Sequence, residues 1–170
     1  MLNSSLMNKN KYLFIDGSVN PQLKIGFGAY LLIDEDCIYS TIKNDDIKTH
    51  KFKDTSSTKL ELQILLFALN NIALQEYNLT IYTDCQNILT LNSRRDTFEK
   101  NNYLTKTNKV IKNSIEYKEF FKLIDFCNCN FVKLKGHKKK STKDNIDKIF
   151  SLIDKTARVK LREYIKQDKI

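Results

Sequence analysis

Two short apolar runs, each ending on an aspartate, constrain this chain more than any other feature. Tyr12-Leu13-Phe14-Ile15-Asp16-Gly17-Ser18 and Leu79-Thr80-Ile81-Tyr82-Thr83-Asp84 are both rich in β-branched and aromatic residues, the composition of short strands. Side chains alternate along a strand, so Tyr12, Phe14 and Asp16 share one face, as do Thr80, Tyr82 and Asp84. Paired as parallel neighbours about 4.8 Å apart, the two strands bring their carboxylates to one sheet edge, where they repel unless a cation lies between them. The pattern points to a metal site. Either acid alone has a plainer use, because Asp-Gly makes hairpin turns and an aspartate before a helix serves as an N-cap.

A chain of 170 residues has room for one domain with a substantial core, and its four glycines and single proline argue against a linker-rich or disordered protein. We read residues 1–10 as a flexible N-terminal segment and residues 11–170 as a single catalytic domain. The net charge of +9 favours a polyanionic partner, nucleic acid before membrane, since no amphipathic basic helix or long apolar run stands out. Met1 to Lys11 is polar and lacks the apolar centre of a signal peptide, so a cytoplasmic location is expected. Cys37, Cys85, Cys127 and Cys129 have neither disulfide-scaffold density nor finger spacing, which favours reduced thiols over zinc.

Read in order, the first strand is followed by a long strand over Ile25 to Asp34 and another over Cys37 to Lys43, an antiparallel meander, then a polar segment from Asn44 to Ser57. Lys59 to Leu74 is a helix apolar around much of its circumference, hence buried against a sheet. Glu61 lies on its stripe with Ile64, Leu65, Ala68 and Ile72 and needs a partner there; alternatively, Thr58-Lys59-Leu60-Glu61 is a capping box in which Glu61 reaches back to the N-cap. One carboxylate cannot fully satisfy both roles. After Asp84 come a short helix to about Asn92 and a long basic stretch, Ser93 to Asn113. There Arg94, Arg95, Lys100, Lys106, Lys109 and Lys112 alternate with Phe98 and Tyr103, a mixture that suits a nucleic-acid backbone. A helix over Ser114 to Phe126, a strand over Asn130 to Leu134, a basic loop from Lys135 to Lys143 and a helix from about Asp144 to Lys166 complete the chain. Asp147 and Asp154 border the last helix's apolar stripe, about 10.5 Å apart, so helical phase does not choose between them. Ala157 beside Asp154 permits close approach to the sheet, whereas the helix dipole alone explains an acid in the first turn, which favours Asp154.

Taken together, Phe14-Ile15-Asp16-Gly17-Ser18, Leu60-Glu61-Leu62, Ile81-Tyr82-Thr83-Asp84, Lys135-Gly136-His137 and Asp154-Lys155-Thr156-Ala157-Arg158 make the chain resemble ribonuclease H, type 1, over about residues 11 to 163. The resemblance implies an α/β, ribonuclease H-like three-layer α/β/α fold, with a five-stranded mixed sheet whose first three strands are antiparallel. It implies endonucleolytic cleavage of the RNA strand of an RNA–DNA hybrid by two divalent ions, Mg²⁺ or Mn²⁺, since hard cations prefer a carboxylate cluster. Asp16, Glu61, Asp84 and Asp154 would be the metal ligands, with Asp16 shared. His137 would handle a proton without ligating. Gly17, Ser18, Ser57, Thr58, Gln86, Arg94, Arg95, Lys138, Lys139 and Lys140 would contact nucleic acid, Gly17 by letting its backbone come close. No protein partner or membrane is implied, and a monomer is expected. The family's usual Thr-Asn before the helix glutamate is Ser56-Ser57-Thr58 here, Cys85 stands where serine commonly follows the third acid, and no Trp-bearing protrusion exists. A nuclease of the same fold acting on DNA, resolvase- or integrase-like, and a non-catalytic hybrid-binding module are the alternatives.

Overall fold

The computed structural model describes residues 8–135 and 144–167. Five strands, β1 (Lys9–Asn20), β2 (Ile25–Asp34), β3 (Lys48–Lys53), β4 (Tyr77–Thr83) and β5 (Asn128–Lys133), form one sheet in the order β3-β2-β1-β4-β5. The β1–β2 and β2–β3 pairs are antiparallel, while β4 runs parallel to both β1 and β5. The five helices are α1 (Ser57–Asn70), α2 (Gln86–Leu89), α3 (Arg95–Lys100), α4 (Ser114–Ile124) and α5 (Asn145–Gln167). No described helix is long and apolar enough to cross a membrane.

Alternation along β1 divides the core. Leu13 and Ile15 pack with Leu62, Ile64 and Leu65 of α1 and with Phe120 and Phe121 of α4, while Phe14 packs with Ile149, Phe150, Ile153 and Ala157 of α5. The sheet is therefore covered on both faces, and the expected mixed three-layer α/β/α arrangement is the observed one.

Register decides whether the two aspartates meet, because a slip of one residue turns a strand's side chains to the opposite face. Tyr12 pairs with Thr80 and Phe14 with Tyr82, so the two faces inferred from alternation coincide. A ladder of amides fixes this register at the far end of the sheet. Asn10 donates to Glu35 Oε2 at 2.8 Å, Asn78 to Asn10 Oδ1 at 3.0 Å and Asn128 to Asn78 Oδ1 at 2.6 Å.

Beyond Phe14 the sheet divides. β4 ends at Thr83, whereas β1 continues alongside β2 as far as Asn20, which pairs with Ile25. Asp16 is thus inside a strand, with Gly17 opposite Gly28, and no hairpin turn begins there. The divergence leaves a crevice at the C-terminal end of β4, the place where open α/β sheets receive ligands.

The structure corrects several expected boundaries. β1 begins at Lys9, so the strand includes two residues assigned to the flexible segment. The strand expected over Cys37 to Lys43 is absent; Glu35–Tyr39 is a 3-10 helix, and the third strand is Lys48–Lys53, inside the segment read as loop. That strand is a sheet edge on which Lys48, His50 and Lys53 remain exposed, so its polarity hid it. α1 stops at Asn70 rather than Leu74, and β5 starts at Asn128 rather than Asn130.

α1 lies close against β1 and β2 because those strands carry glycine beneath it. A Cβ at Gly28 would stand 2.5 Å from Ile64 Cβ and 2.6 Å from its Cγ1, atoms fixed to the helix backbone. Gly28→Ala is expected to destabilise the fold by about 2 kcal/mol through overpacking. That corresponds to a melting temperature lower by about 5 °C. Thermal unfolding followed by circular dichroism measures it; an unchanged midpoint contradicts the close packing of α1.

Candidate active site

Three carboxylates from three elements converge in the crevice. Asp16 comes from β1, Asp84 from the residue after β4 and Glu61 from the second turn of α1, and each offers an oxygen within 4.8 Å of the other two. Asp16 is buried, and its Oδ1 accepts the Gly17 amide at 2.7 Å. Glu61 Oε2 is also buried, with no hydrogen-bond partner among the described residues.

The Glu61 alternative is thereby resolved. α1 begins at Ser57 with Ser56 as N-cap, and no side-chain capping bond forms; the Leu60 amide bonds the Ser56 carbonyl instead. Glu61 points to the other acids. Gly17 has a packing role that the sequence did not suggest, since a Cβ there would lie 2.8 Å from Leu60 Cδ2 and 3.7 Å from Glu61 Oε1. The space it leaves is occupied by α1, which carries Glu61 in over the strand.

Crowding like charges into a partly buried site raises their affinity for protons. Burial, then the Asp84 charge, pushes the Asp16 pKa up to about 7, against the opposing effects of the Gly17 amide and the Arg158 charge. Glu61 is held well above the usual carboxylate range by burial and by the charges of Asp16 and Asp84. No lysine or arginine pairs with any of the three among the described residues. Clustered carboxylates, two of them largely out of solvent, with no cationic partner among the described residues and one bearing an unsatisfied oxygen, make a donor set suited to a hard divalent cation. A second trio, Asp34, Asp36 and Cys37, lacks this character, since Asp34 is exposed and bound to Lys11 Nζ at 2.7 Å.

The carboxylates form the floor of a cleft of about 750 Å³, which Gly17, Ser57, Thr58, Cys85, Gln86, Asn87, Lys135, Asp147, Phe150, Ser151, Asp154 and Arg158 also line. Asp147 and Asp154 of α5 are both on its wall. Asp147 is buried in the first turn and exchanges bonds with Asp144, its amide donating to Asp144 Oδ1 at 2.8 Å and its Oδ2 accepting the Asp144 amide at 3.3 Å. It closes the helix N-terminus. Asp154 is half-exposed and held by Arg158, whose Nε donates to Oδ1 at 2.7 Å and whose Nη2 donates to Oδ2.

Of the expected nucleic-acid contacts, Gly17, Ser57, Thr58 and Gln86 line the cleft, whereas Ser18 lies beyond it on β1. Arg94 and Arg95 are both bonded within the chain. Arg94 donates to the Asn87 carbonyl, Asn87 Oδ1 and the Thr90 carbonyl, and Arg95 spans Asp125 and Glu99. Their donors hold α2, α3 and α4 together. Phe98, expected to interleave with a backbone, stacks on Tyr117 of α4 at 5.3 Å between ring centroids. Lys106, Lys109 and Lys112 of the same stretch remain exposed. His137, Lys138, Lys139 and Lys140 lie outside the described residues.

Sequence reasoning missed Arg158 and Asn87. Arg158 follows Asp154 by four residues, which places it one turn further on the same face of α5. Asn87, three residues after Asp84, carried no usable signal.

A family model described as RNase H matches residues 8–156. Among solved structures, a foamy viral protease-reverse transcriptase in complex with dsDNA is similar with a TM-score of 0.63 and 16% identity, over 93% of this chain and 96% of that one. The native Prototype Foamy Virus protease-reverse transcriptase gives a TM-score of 0.68 and 15% identity over 87% of this chain, which spans 20% of that protein. The solution structure of the PFV RNase H domain gives 0.66 and 13%, over 89% and 92% of the two chains. At these identities the likeness is one of fold. No curated protein sequence matches significantly.

The carboxylate cluster has a testable consequence for stability. With its folded pKa near 7 and an unfolded value near 4, Asp16 binds more protons folded than unfolded across that window. Its contribution is therefore greatest below pH 4 and is lost as pH rises through 7. In chelator-treated protein, Asp16→Asn is expected to raise the melting temperature at pH 7.5 but not at pH 4.5, a difference on the order of 3 kcal/mol at most. Parallel pH dependences for the variant and the wild type contradict the crowding of Asp16.

Proposed function

Because the chain belongs to the RNase H family, a nuclease family, we propose that it hydrolyses the RNA strand of RNA–DNA hybrids, with Asp16, Glu61 and Asp84 holding one divalent cation and Asp154 contributing to a second. The observation that carries this reading is the convergence of three carboxylates, one with a buried unpartnered oxygen, on the floor of an open cleft. A module that only bound phosphates would gain nothing from such a cluster.

Charge makes the dependence on metal explicit. Among the described residues the cleft presents five carboxylates, Asp16, Glu61, Asp84, Asp147 and Asp154, and two cations, Lys135 and Arg158. A phosphodiester is repelled from that floor until part of its charge is neutralised. Divalent cations bound there, Mg²⁺ or Mn²⁺, supply activation of the attacking water and neutralisation of the leaving 3′ oxygen.

The chain's own groups do the remaining work. Asp16 and Glu61, fixed by β1 and by the close approach of α1, hold their oxygens in place before substrate arrives, so little reorganisation is needed during reaction. Ser57 and Thr58 present exposed hydroxyls at the N-terminus of α1, where backbone amides and the helix dipole favour a phosphate. Gln86, whose side-chain oxygen accepts Lys133 Nζ at 2.7 Å, and Lys135 occupy the opposite rim. In this reading His137 moves a proton as product leaves, and Lys138, Lys139 and Lys140 grip the backbone.

The test is an incubation of the protein with hybrid, duplex RNA and duplex DNA, each labelled on one strand, with Mg²⁺, with Mn²⁺ and with chelator. RNA in the hybrid is expected to be cut, only with a divalent ion. Asp84→Asn, at an exposed position that the core does not need, is expected to lower turnover by about 10²-fold or more. Hybrid affinity should stay within about threefold, because phosphate contacts elsewhere carry most of it. Cleavage of duplex DNA instead favours a DNA-acting nuclease, and binding without cleavage under any divalent ion favours a binding module; either removes the hybrid reading.

A further inference from the structure

Among the cleft's acids, Asp154 is set apart by its partner. Asp16, Glu61 and Asp84 meet with no cationic side chain between them among the described residues, whereas both Asp154 oxygens are taken by the guanidinium of Arg158. We propose that Arg158 is a built-in counter-ion that competes with a divalent cation for Asp154, and so sets how tightly a second cation binds once the first is in place. This rests on the cation-dependent reading above for the identity of the ligand.

The geometry gives Arg158 this position. Residues four apart on a helix lie one above the other, so Arg158 covers Asp154 from the next turn of α5 without moving the helix. It lines the same cleft as the three-acid floor, and its charge reaches Asp16. The side chain is about half exposed, 47%, against 30% for Asp154, so it has solvent to swing into. A planar fork matches a carboxylate through two parallel bonds, and a cation approaching the same two oxygens must displace them. The first cation, by contrast, meets no cationic side chain bonded to the three-acid floor among the described residues, and it finds Glu61 Oε2 without a partner. Two binding events of unequal strength follow, with the gap between them set by how firmly Arg158 holds Asp154.

An exposed pair of this kind is weak, so its removal should tighten the weaker event by about 3- to 5-fold rather than by orders of magnitude. The probe is Mn²⁺ alone, titrated calorimetrically into metal-free protein for the wild type, Arg158→Gln, Asp154→Asn and the double variant. Thermal unfolding of each confirms the fold, since both side chains reach solvent. Arg158→Gln is expected to tighten the weaker event more than the stronger one, and this selective tightening should disappear in the Asp154→Asn background. If the wild type shows a single event, a second should emerge in Arg158→Gln. Equal tightening of both events, tightening that persists without Asp154, or no change at all overturns the proposal. Hybrid hydrolysis is scored separately: selective tightening in a protein that cuts no hybrid retains the counter-ion and removes the nuclease reading, while hydrolysis with unaltered Mn²⁺ affinities does the reverse.

Discussion

The mutual repulsion of Asp16, Glu61 and Asp84 is the interaction on which the site depends. The Gly17 amide offsets only part of the repulsion among three carboxylate oxygens within 4.8 Å of one another; the surrounding core imposes the arrangement. β1 is the central strand, joined on one side to β2 and on the other to β4, with α1 and α5 packed against its two faces. The apolar burial that orders these layers is large compared with the energy of a few crowded charges, so the fold holds the cluster together instead of relaxing it. Proton uptake, or a cation, then relieves the remaining strain.

Much of this was legible in the sequence where one residue's environment follows from its neighbours. The period of two along Tyr12 to Asp16 and along Leu79 to Asp84 placed both acids on matching faces, and the observed register of Phe14 with Tyr82 agrees. What depended on distant partners was not legible. Glu61 had two plausible uses within its own helix, and only the contact of α1 with the glycines of β1 and β2 separates them. The amide ladder from Glu35 to Asn128 joins residues far apart in sequence. The edge strand Lys48–Lys53 has the composition of a loop because one of its sides has no neighbour. Arg94, Arg95 and Phe98 looked like a nucleic-acid surface, yet each finds its partner within the chain.

Electrostatics also divide the molecule by location. A chain of net charge +9 has a cleft whose described residues include five carboxylates and two cations, so long-range attraction and local repulsion act on the same polyanion. The basic excess favours the approach of a polyanion, while the acidic floor repels one that carries no counter-ion. Asp154 and Arg158 lie at the boundary between these regimes, an acid whose charge is already balanced beside three whose charges are not. The fold thus gathers three carboxylates from β1, the end of β4 and α1 on one floor and sets a fourth acid, already paired, on the α5 wall.

The most direct measurement of the central claim is the anomalous scattering of manganese in crystals of the protein grown with saturating Mn²⁺. The account predicts a manganese peak among the carboxylates of Asp16, Glu61 and Asp84. Well-ordered crystals with no peak there, or with manganese only at exposed acids such as Asp34 and Asp36, would contradict it.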